Sequence, residues 1–200
     1  MVTIRHFARK ETVHMHPLPL PDPRDAASQI AKESVKHGQC VVVLFRLGSE
    51  LLAVEACAVQ EITLMARLST PSGLPSVLAG FLHVADRPIP IIRLHRLLDL
   101  PEPVRGLYTQ ILILRDQDGS AYGWIVDRVA QVVTVRQAEI MAVPENHCFK
   151  DGTKGVFTFN DTHVSLLAPD RVLLEKEHQC IHEFRNREQE RLRELEQSEA

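Results

Sequence analysis

The stretch YGWIVDRVAQVV (122–133) is the most informative part of this 200-residue chain. Its apolar side chains recur at alternate or neighbouring positions, at Tyr122, Trp124, Val126, Val129, Val132 and Val133. Alternation at a period of two is typical of β-strands, and Asp127-Arg128 indicates a change of direction between two strands. The stretch offers no nucleophile, phosphate cradle or metal cage, so we interpret it as built to bind a partner rather than a substrate.

Short strand candidates fill the chain on both sides of this stretch, from about residue 39 to 175. Gly48, Asp118-Gly119 and Asn160-Asp161 each mark a hairpin turn between two apolar runs. The run of short strands without long alternating helices predicts a mainly β fold with a barrel architecture. From about residue 171 to 199 the pattern becomes charged and predicts a helix.

The chain is predicted to have three segments. Residues 1–38 form an extension with a proline-rich linker and a short helix, 39–176 form the folded domain, and 177–200 form a charged helical tail. The apolar stripe of the tail is interrupted at Glu188, which leaves a coiled coil open as a minority alternative. We predict that 1–38 and 178–200 are dispensable for folding.

Composition narrows the function classes. A net charge of −3 gives no global basic field for nucleic acid, and aromatic residues make up only 5% of the chain. A single-stranded nucleic-acid-binding barrel therefore remains only an alternative. The sequence contains no G-x-S-x-G elbow and no phosphate-binding G-x-x-x-x-G-K-[ST] loop. We predict a protein that is not an enzyme, with no catalytic residue and no cofactor.

Histidines and cysteines raise the question of a metal site. His178 and His182 are four residues apart on the predicted tail helix, with Cys180 between them. A third ligand at a zinc-binding spacing does not follow, so we predict solvent-exposed polar side chains and no metal. The four cysteines are scattered without C-x-x-C spacing, which favours free thiols over a disulfide framework.

Four pieces of the chain, taken in order, resemble the CheW family of chemotaxis adaptor proteins. They are VVVLFRLGSELLAVEACAVQEI (41–62), GFLHVADRPIPIIRLHRLL (80–98), YGWIVDRVAQVVTV (122–135) and VSLLAPDRVLLEKE (164–177). In the third piece Gly123, Val126, Asp127 and Val129 all fall on the family pattern. The resemblance covers roughly residues 39–176.

The resemblance implies two intertwined five-stranded, SH3-like β-barrels that share a core, followed by a C-terminal helix. It also implies a non-catalytic, cytoplasmic adaptor that couples the tip of a methyl-accepting chemoreceptor to the regulatory domain of a CheA-type histidine kinase, without inserting into the membrane. Recruitment to receptor arrays at the inner membrane would follow from that role. A non-flagellar pathway (surface sensing, twitching or second-messenger control) is the alternative wiring.

Five residues within these pieces are predicted to bind partners. Val59, Glu61 and Ile62 lie in the family's Val-Gln-Glu-Ile turn, and Arg87 and Arg93 lie in the second piece. For the kinase, the first strands, around 41–47 and 51–54, are the predicted surface.

The chain also departs from the family pattern. Ala85 and Asp86 stand where Arg-Gly is common, Arg93 stands at a position often held by Asp, and Ala168 stands where Asp is frequent. We hypothesise that Arg87 replaces the missing arginine as the cation for Glu61. The departures put the identity of the receptor in question, rather than the fold.

Overall fold

In the computed structural model the described residues are 38–198 without 85–86, 103–105, 107, 117–118, 146–148, 150 and 174. The predicted linker and short helix of the N-terminal extension lie outside the described residues. So do Ala85 and Asp86, two of the departures from the family pattern.

The described residues form ten strands and three α-helices. The strands are β1 Gln39–Leu47, β2 Glu50–Glu55, β3 Val59–Leu64, β4 Leu78–Val84, β5 Arg87–Ile92, β6 Gln110–Arg115, β7 Ala121–Val126, β8 Arg128–Arg136, β9 Thr153–Phe159 and β10 Thr162–Leu167. The helices are α1 Leu94–Leu97, α2 Pro169–Val172 and α3 Glu175–Ser198, and single 3-10 turns occupy Ala56–Ala58 and Gln137–Glu139.

The strands make two five-stranded sheets with the same pattern of pairing. The first sheet has the order β8-β1-β2-β10-β9 and the second sheet has the order β3-β6-β7-β5-β4. In each sheet two antiparallel pairings are followed by one parallel and one antiparallel pairing. The predicted mainly β fold with a C-terminal helix is confirmed.

Three apolar clusters explain why the central strands are buried on both faces. One cluster, here called the shared core, joins residues of both sheets, such as Phe45 on β1 and Trp124 on β7. A second cluster lies within the first sheet and includes Leu44, and a third lies within the second sheet and includes Ile111. Because alternate side chains of a strand point to opposite faces, Leu44 and Phe45 enter different clusters.

The turn predicted at Asp127 is the point where the chain passes from the second sheet to the first. The Asp127 carboxylate accepts a hydrogen bond from the Gly48 amide at 2.7 Å, and its own amide donates to the Arg46 carbonyl at 3.0 Å. Nearby, the Val129 amide of β8 donates to the Gln110 side chain of β6 at 2.5 Å. Polar contacts therefore fasten the two sheets together at the crossing.

The hairpin predicted at Asn160-Asp161 is confirmed between β9 and β10. Both residues have positive φ angles, 48° and 59°. Two consecutive left-handed residues are the geometry of a type I′ turn, in which asparagine and aspartate are tolerated.

The C-terminal helix α3 packs on the domain. Ile181 is only 5% exposed and belongs to the shared core, and Phe184 is half-buried against the same cluster. This packing argues against the prediction that residues 178–200 are dispensable for folding, because their removal would open the core at Ile181.

Candidate partner-binding surface

Four exposed residues at one edge of the second sheet form what we call the β3 surface: Ile62 and Leu64 on one face of β3, Tyr108 beside its end, and Glu61, which points to the opposite face of the same edge strand. Strand β3 has one neighbour, β6, and is therefore an edge strand. The three large side chains Ile62, Leu64 and Tyr108 are 39%, 59% and 79% exposed. Tyr108 lies close to the end of β3 because the Met65 amide donates to the carbonyl of Thr109 at 2.8 Å.

The β3 surface borders the region where the two sheets meet. Ile62 pairs with Leu112 across the β3–β6 ladder, and paired residues of antiparallel strands point to the same face. Leu112 belongs to the shared core, so Ile62 is an exposed continuation of that core at the sheet edge. Val59 is half-buried and packs against the shared core, and a bulge between Val59 and Glu61 separates it from the exposed residues.

The sequence indicated part of this surface and missed the rest. Val59, Glu61 and Ile62 were predicted from the family pattern, whereas Leu64 and Tyr108 were not. Leu64 could have been found from its spacing, since it is two residues after Ile62 on the same strand and therefore shares its face. Tyr108 comes from a loop, and no pattern in the sequence connects it to β3.

Arg87 and Glu61 do not form the hypothesised ion pair. Both residues are exposed, and the order of the second sheet places β6 and β7 between their strands. No ion pair joins them among the residues that the structure describes. The idea that Arg87 provides the cation for Glu61 is therefore wrong within the isolated chain.

Arg93 follows β5 and its guanidinium contacts the main chain at the start of β4. The Nη1 atom donates to the Ser76 carbonyl at 3.0 Å and also to the Leu78 carbonyl. The Arg93 amide also donates to a carbonyl of this segment, that of Val77, at 2.7 Å. These contacts give Arg93 a role in holding the loop before β4, and a contact with a partner stays a prediction.

Replacing Arg93 with methionine should lower the free energy of unfolding by about 1–3 kcal/mol, because two carbonyls lose a charged donor. Urea unfolding would measure the change. The control is Arg96→Met, which removes an exposed ion pair with Glu102 (3.7 Å) and should cost at most about 1 kcal/mol. A fully stable Arg93→Met variant that no longer binds a partner would instead favour the predicted binding role.

The strands predicted to bind the kinase are in the interior. Residues 42–45 of β1 and 52–54 of β2 are buried, and the two strands lie between β8 and β10. The prediction that they present an apolar binding face is wrong. A continuous apolar run marks a strand covered on both faces, rather than a strand with one free face.

The thiols of Cys40 and Cys57 lie near the Glu55 carboxylate. Burial raises the pKa of Cys40 to about 11, with a further contribution from Glu55, and burial also raises the pKa of Cys57. Both thiols therefore stay protonated at neutral pH, which makes them poor nucleophiles. Among the described residues no group of three or more His, Cys, Asp or Glu side chains could hold a metal ion.

His178 and His182 are not the free surface residues that were predicted. Their side chains are 22% and 37% exposed, and both approach the Asp116 carboxylate, at 3.9 and 3.8 Å. They line a small cleft between α3 and the second sheet together with Pro90, Ile92 and Tyr122. The histidines thus contribute to the packing of α3.

Within the described part of the chain, no helix has the length and apolar character needed to cross a membrane.

Comparisons with known proteins agree on one family. The family model described as CheW-like domain matches residues 41–177. The chemotaxis protein CheW of Treponema pallidum (strain Nichols) is 28% identical over 115 residues, which are 56% of this chain and 68% of that protein. The chemotaxis protein CheW of Bacillus subtilis (strain 168) is 30% identical over 114 residues, 56% of this chain and 70% of that protein.

A solved structure shows the same fold. The scaffolding protein TtCheW from Thermoanaerobacter tengcongensis superposes with a TM-score of 0.64 at 19% sequence identity. The superposition covers 82% of this chain and 94% of that chain. The predicted SH3-like arrangement of two five-stranded units is confirmed by this likeness.

Proposed function

This chain belongs to the CheW-like domain family, whose members are non-enzymatic scaffolds, and we propose that it couples the cytoplasmic tip of a chemoreceptor to the regulatory domain of a CheA-type histidine kinase. It acts as an adaptor in chemotaxis signal transduction. The names of both curated relatives support a chemotaxis pathway over surface sensing, twitching or second-messenger control. The protein is therefore expected to act through its binding surfaces.

The β3 surface is the proposed binding site for the kinase. The observation that carries this assignment is a set of exposed apolar side chains that adjoins the shared core: Ile62 and Leu64 on the edge strand β3, and Tyr108 on a loop beside the end of that strand. Protein interfaces combine an apolar centre, often aromatic, with a polar rim, and Glu61 would provide an acid at that rim.

Arg87 is the proposed contact for the receptor. Its side chain is exposed at the first residue of β5, beside the hairpin that joins β4 to β5. An exposed cation in this position would add to specificity and to the rate of encounter with an acidic partner more than to affinity. The adaptor would act in the cytoplasm and join receptor arrays at the inner membrane through these two contacts.

Replacing Ile62 with glutamate should weaken binding of the kinase regulatory domain by about 30-fold, because losing a central apolar anchor typically costs about 2 kcal/mol or more. Calorimetric titration of the full chain with that domain would measure the affinity. The matched control is Val132→Glu, which places the same charge on another edge strand, at a valine that is 58% exposed on β8.

The control decides the interpretation. If Val132→Glu abolishes kinase binding and Ile62→Glu does not, the kinase site lies on the β8 edge of the first sheet. If the wild-type chain binds neither a CheA-type regulatory domain nor a receptor tip from its own organism, the proposed coupling is wrong.

A further inference from the structure

Almost all of α3 lies beyond the part of the chain that the family model matches. That match ends at residue 177, whereas α3 continues to Ser198. Its contacts with the second sheet come in two zones of different chemistry.

The first zone of contact has an apolar centre, and His178 and His182 flank it beside the Asp116 carboxylate. Ile181 is 5% exposed within the shared core, and Phe184 packs beside it. The guanidinium of Arg187 covers the Phe184 ring at 4.1 Å from its centroid. Side chains buried in this way leave a core only at a substantial cost, so this zone holds the helix in place.

The second zone is polar and is centred on Glu188, which is only 5% exposed. The Ser69 hydroxyl donates a hydrogen bond to its carboxylate at 2.8 Å. The His83 Nε2 atom lies 3.5 Å from Oε1 of Glu188, the oxygen that accepts the bond from Ser69. Arg191, on the same helix, lies 4.0 Å from the other carboxylate oxygen, Oε2. We call the contact of Glu188 with Ser69 and His83 the Glu188 latch. This buried acid occupies the position that interrupts the apolar stripe in the sequence.

The two zones show which way the helix runs. Ile181 lies in the cleft with Pro90 and Ile92, whereas Glu188 contacts His83, which pairs with Pro88. Moving along α3 from Ile181 to Glu188 therefore leads along β5 toward the β4–β5 hairpin. Arg87, the proposed receptor contact, is at the start of β5 beside that hairpin.

The two zones differ in how readily they separate. Removing Ile181 from the core exposes apolar surface to water. Opening the latch exposes a carboxylate, a hydroxyl and an imidazole, all of which water solvates well, and it relieves the desolvation of a buried charge. The part of α3 after Phe184 should therefore separate from the second sheet at a lower cost than the part around Ile181.

We propose that residues 185–198 of α3 form a hinged strap, held by the Glu188 latch, that limits access of a receptor to Arg87 at the start of β5. The hinge is the boundary between Phe184 and Glu188. The access part of this proposal rests on the proposed function, since it assigns Arg87 to a receptor contact. The hinge itself does not depend on that assignment.

The test compares Glu188→Lys with a matched control on the same helix. Lysine at position 188 would face His83 and Arg191 and should open the latch. Glu190→Lys makes the same change of charge at an exposed residue outside the latch. Ser69→Ala removes the hydroxyl donor and gives a second, milder opening if Glu188→Lys fails to fold.

Amide hydrogen exchange of the full chain tests whether residues 185–198 open separately from the rest of α3. In Glu188→Lys, and more weakly in Ser69→Ala, exchange over residues 185–198 should become faster by about tenfold or more, while peptides around Ile181 should change by less than about twofold. Glu190→Lys should match the wild type. Equal acceleration over all of α3, or no acceleration in either latch variant, would overturn the hinge.

Binding of a receptor-tip fragment tests whether the strap limits access of the receptor. Opening the latch should strengthen that binding by about three- to tenfold. The reason is that the docked strap would no longer reduce the fraction of molecules in which the receptor can reach Arg87. An unchanged or weaker affinity, with the strap released by the exchange test, would overturn the access part. If no form of the chain binds the fragment, the proposed function has failed, and hydrogen exchange alone decides the hinge.

Discussion

Replacing Trp124 with alanine is expected to lower the free energy of unfolding by about 3–5 kcal/mol, the usual range for a large aromatic residue in a core. Trp124 is fully buried in the shared core, where its ring lies 6.4 Å from that of Phe45 and 6.3 Å from that of Tyr122. Phe45 belongs to the first sheet and Trp124 to the second, so the cavity would open at the contact between them. Domains are stable by only about 5–15 kcal/mol, and the loss would be a large part of that total.

Denaturant unfolding followed by far-UV circular dichroism would measure this change, because Trp124 is the chain's only tryptophan and the variant loses that fluorescence signal. Tyr108→Ala is the aromatic control: Tyr108 is 79% exposed, and its loss should change stability by no more than about 0.5 kcal/mol. Equal effects of the two substitutions would show that the two sheets do not depend on a common core.

Replacing Gly80 with alanine is expected to cost about 2–4 kcal/mol, from backbone strain together with overpacking. Gly80 has a φ of +146°, which side-chain-bearing residues rarely adopt. An added Cβ would also lie 2.5 Å from the Ser69 carbonyl oxygen. That backbone is fixed, because Ser69 and Phe81 exchange two hydrogen bonds, at 2.9 and 2.8 Å. The substitution must therefore displace Ser69 as well as strain β4.

Thermal or urea unfolding would measure the cost, with Gly73→Ala as the control for backbone strain alone. Gly73 has a φ of +80° and nothing within 4 Å of an added Cβ. Its replacement should cost about 1–2 kcal/mol, the penalty of a left-handed residue. If Gly80→Ala costs no more than Gly73→Ala, the close approach of Ser69 to β4 is not a constraint. Displacement of Ser69 should also speed exchange over residues 185–198, as is expected for Ser69→Ala.

Local signals in the sequence were enough for most of the strands and for the turns between them, but they placed β3 too late in the chain, near 63–68 instead of Val59–Leu64. Asn160-Asp161 tolerates left-handed backbone and therefore predicts a hairpin on its own. The runs around 41–47 and 51–54 were correctly assigned to strands. The prediction that these two strands lie at the surface was wrong, because an unbroken apolar run does not show whether one face or both faces of a strand are covered.

Contacts between distant parts of the chain could not be predicted in the same way. Glu188 interrupts the apolar stripe of its helix in the sequence, and its partner Ser69 lies 119 residues earlier. Tyr108 joins the β3 surface only because a loop returns beside the end of β3. Family resemblance helped where this chain keeps the family pattern, and it gave no information on α3 beyond residue 177.

The order of strands along the chain also determines when each sheet can form during synthesis. The second sheet uses only β3 to β7, a continuous stretch of residues 59–126, whereas the first sheet needs β1 and β2 together with β8 to β10. The β1–β2 hairpin leaves the ribosome early, yet its neighbours on both sides come from residues 128–167. Leu44 and Ala53 belong to the apolar cluster of the first sheet. Their side chains therefore stay exposed to solvent until β10 has been synthesised. We expect that interval to be when the nascent chain is most prone to aggregate, since exposed apolar surface and unpaired strand edges are what make folding intermediates associate.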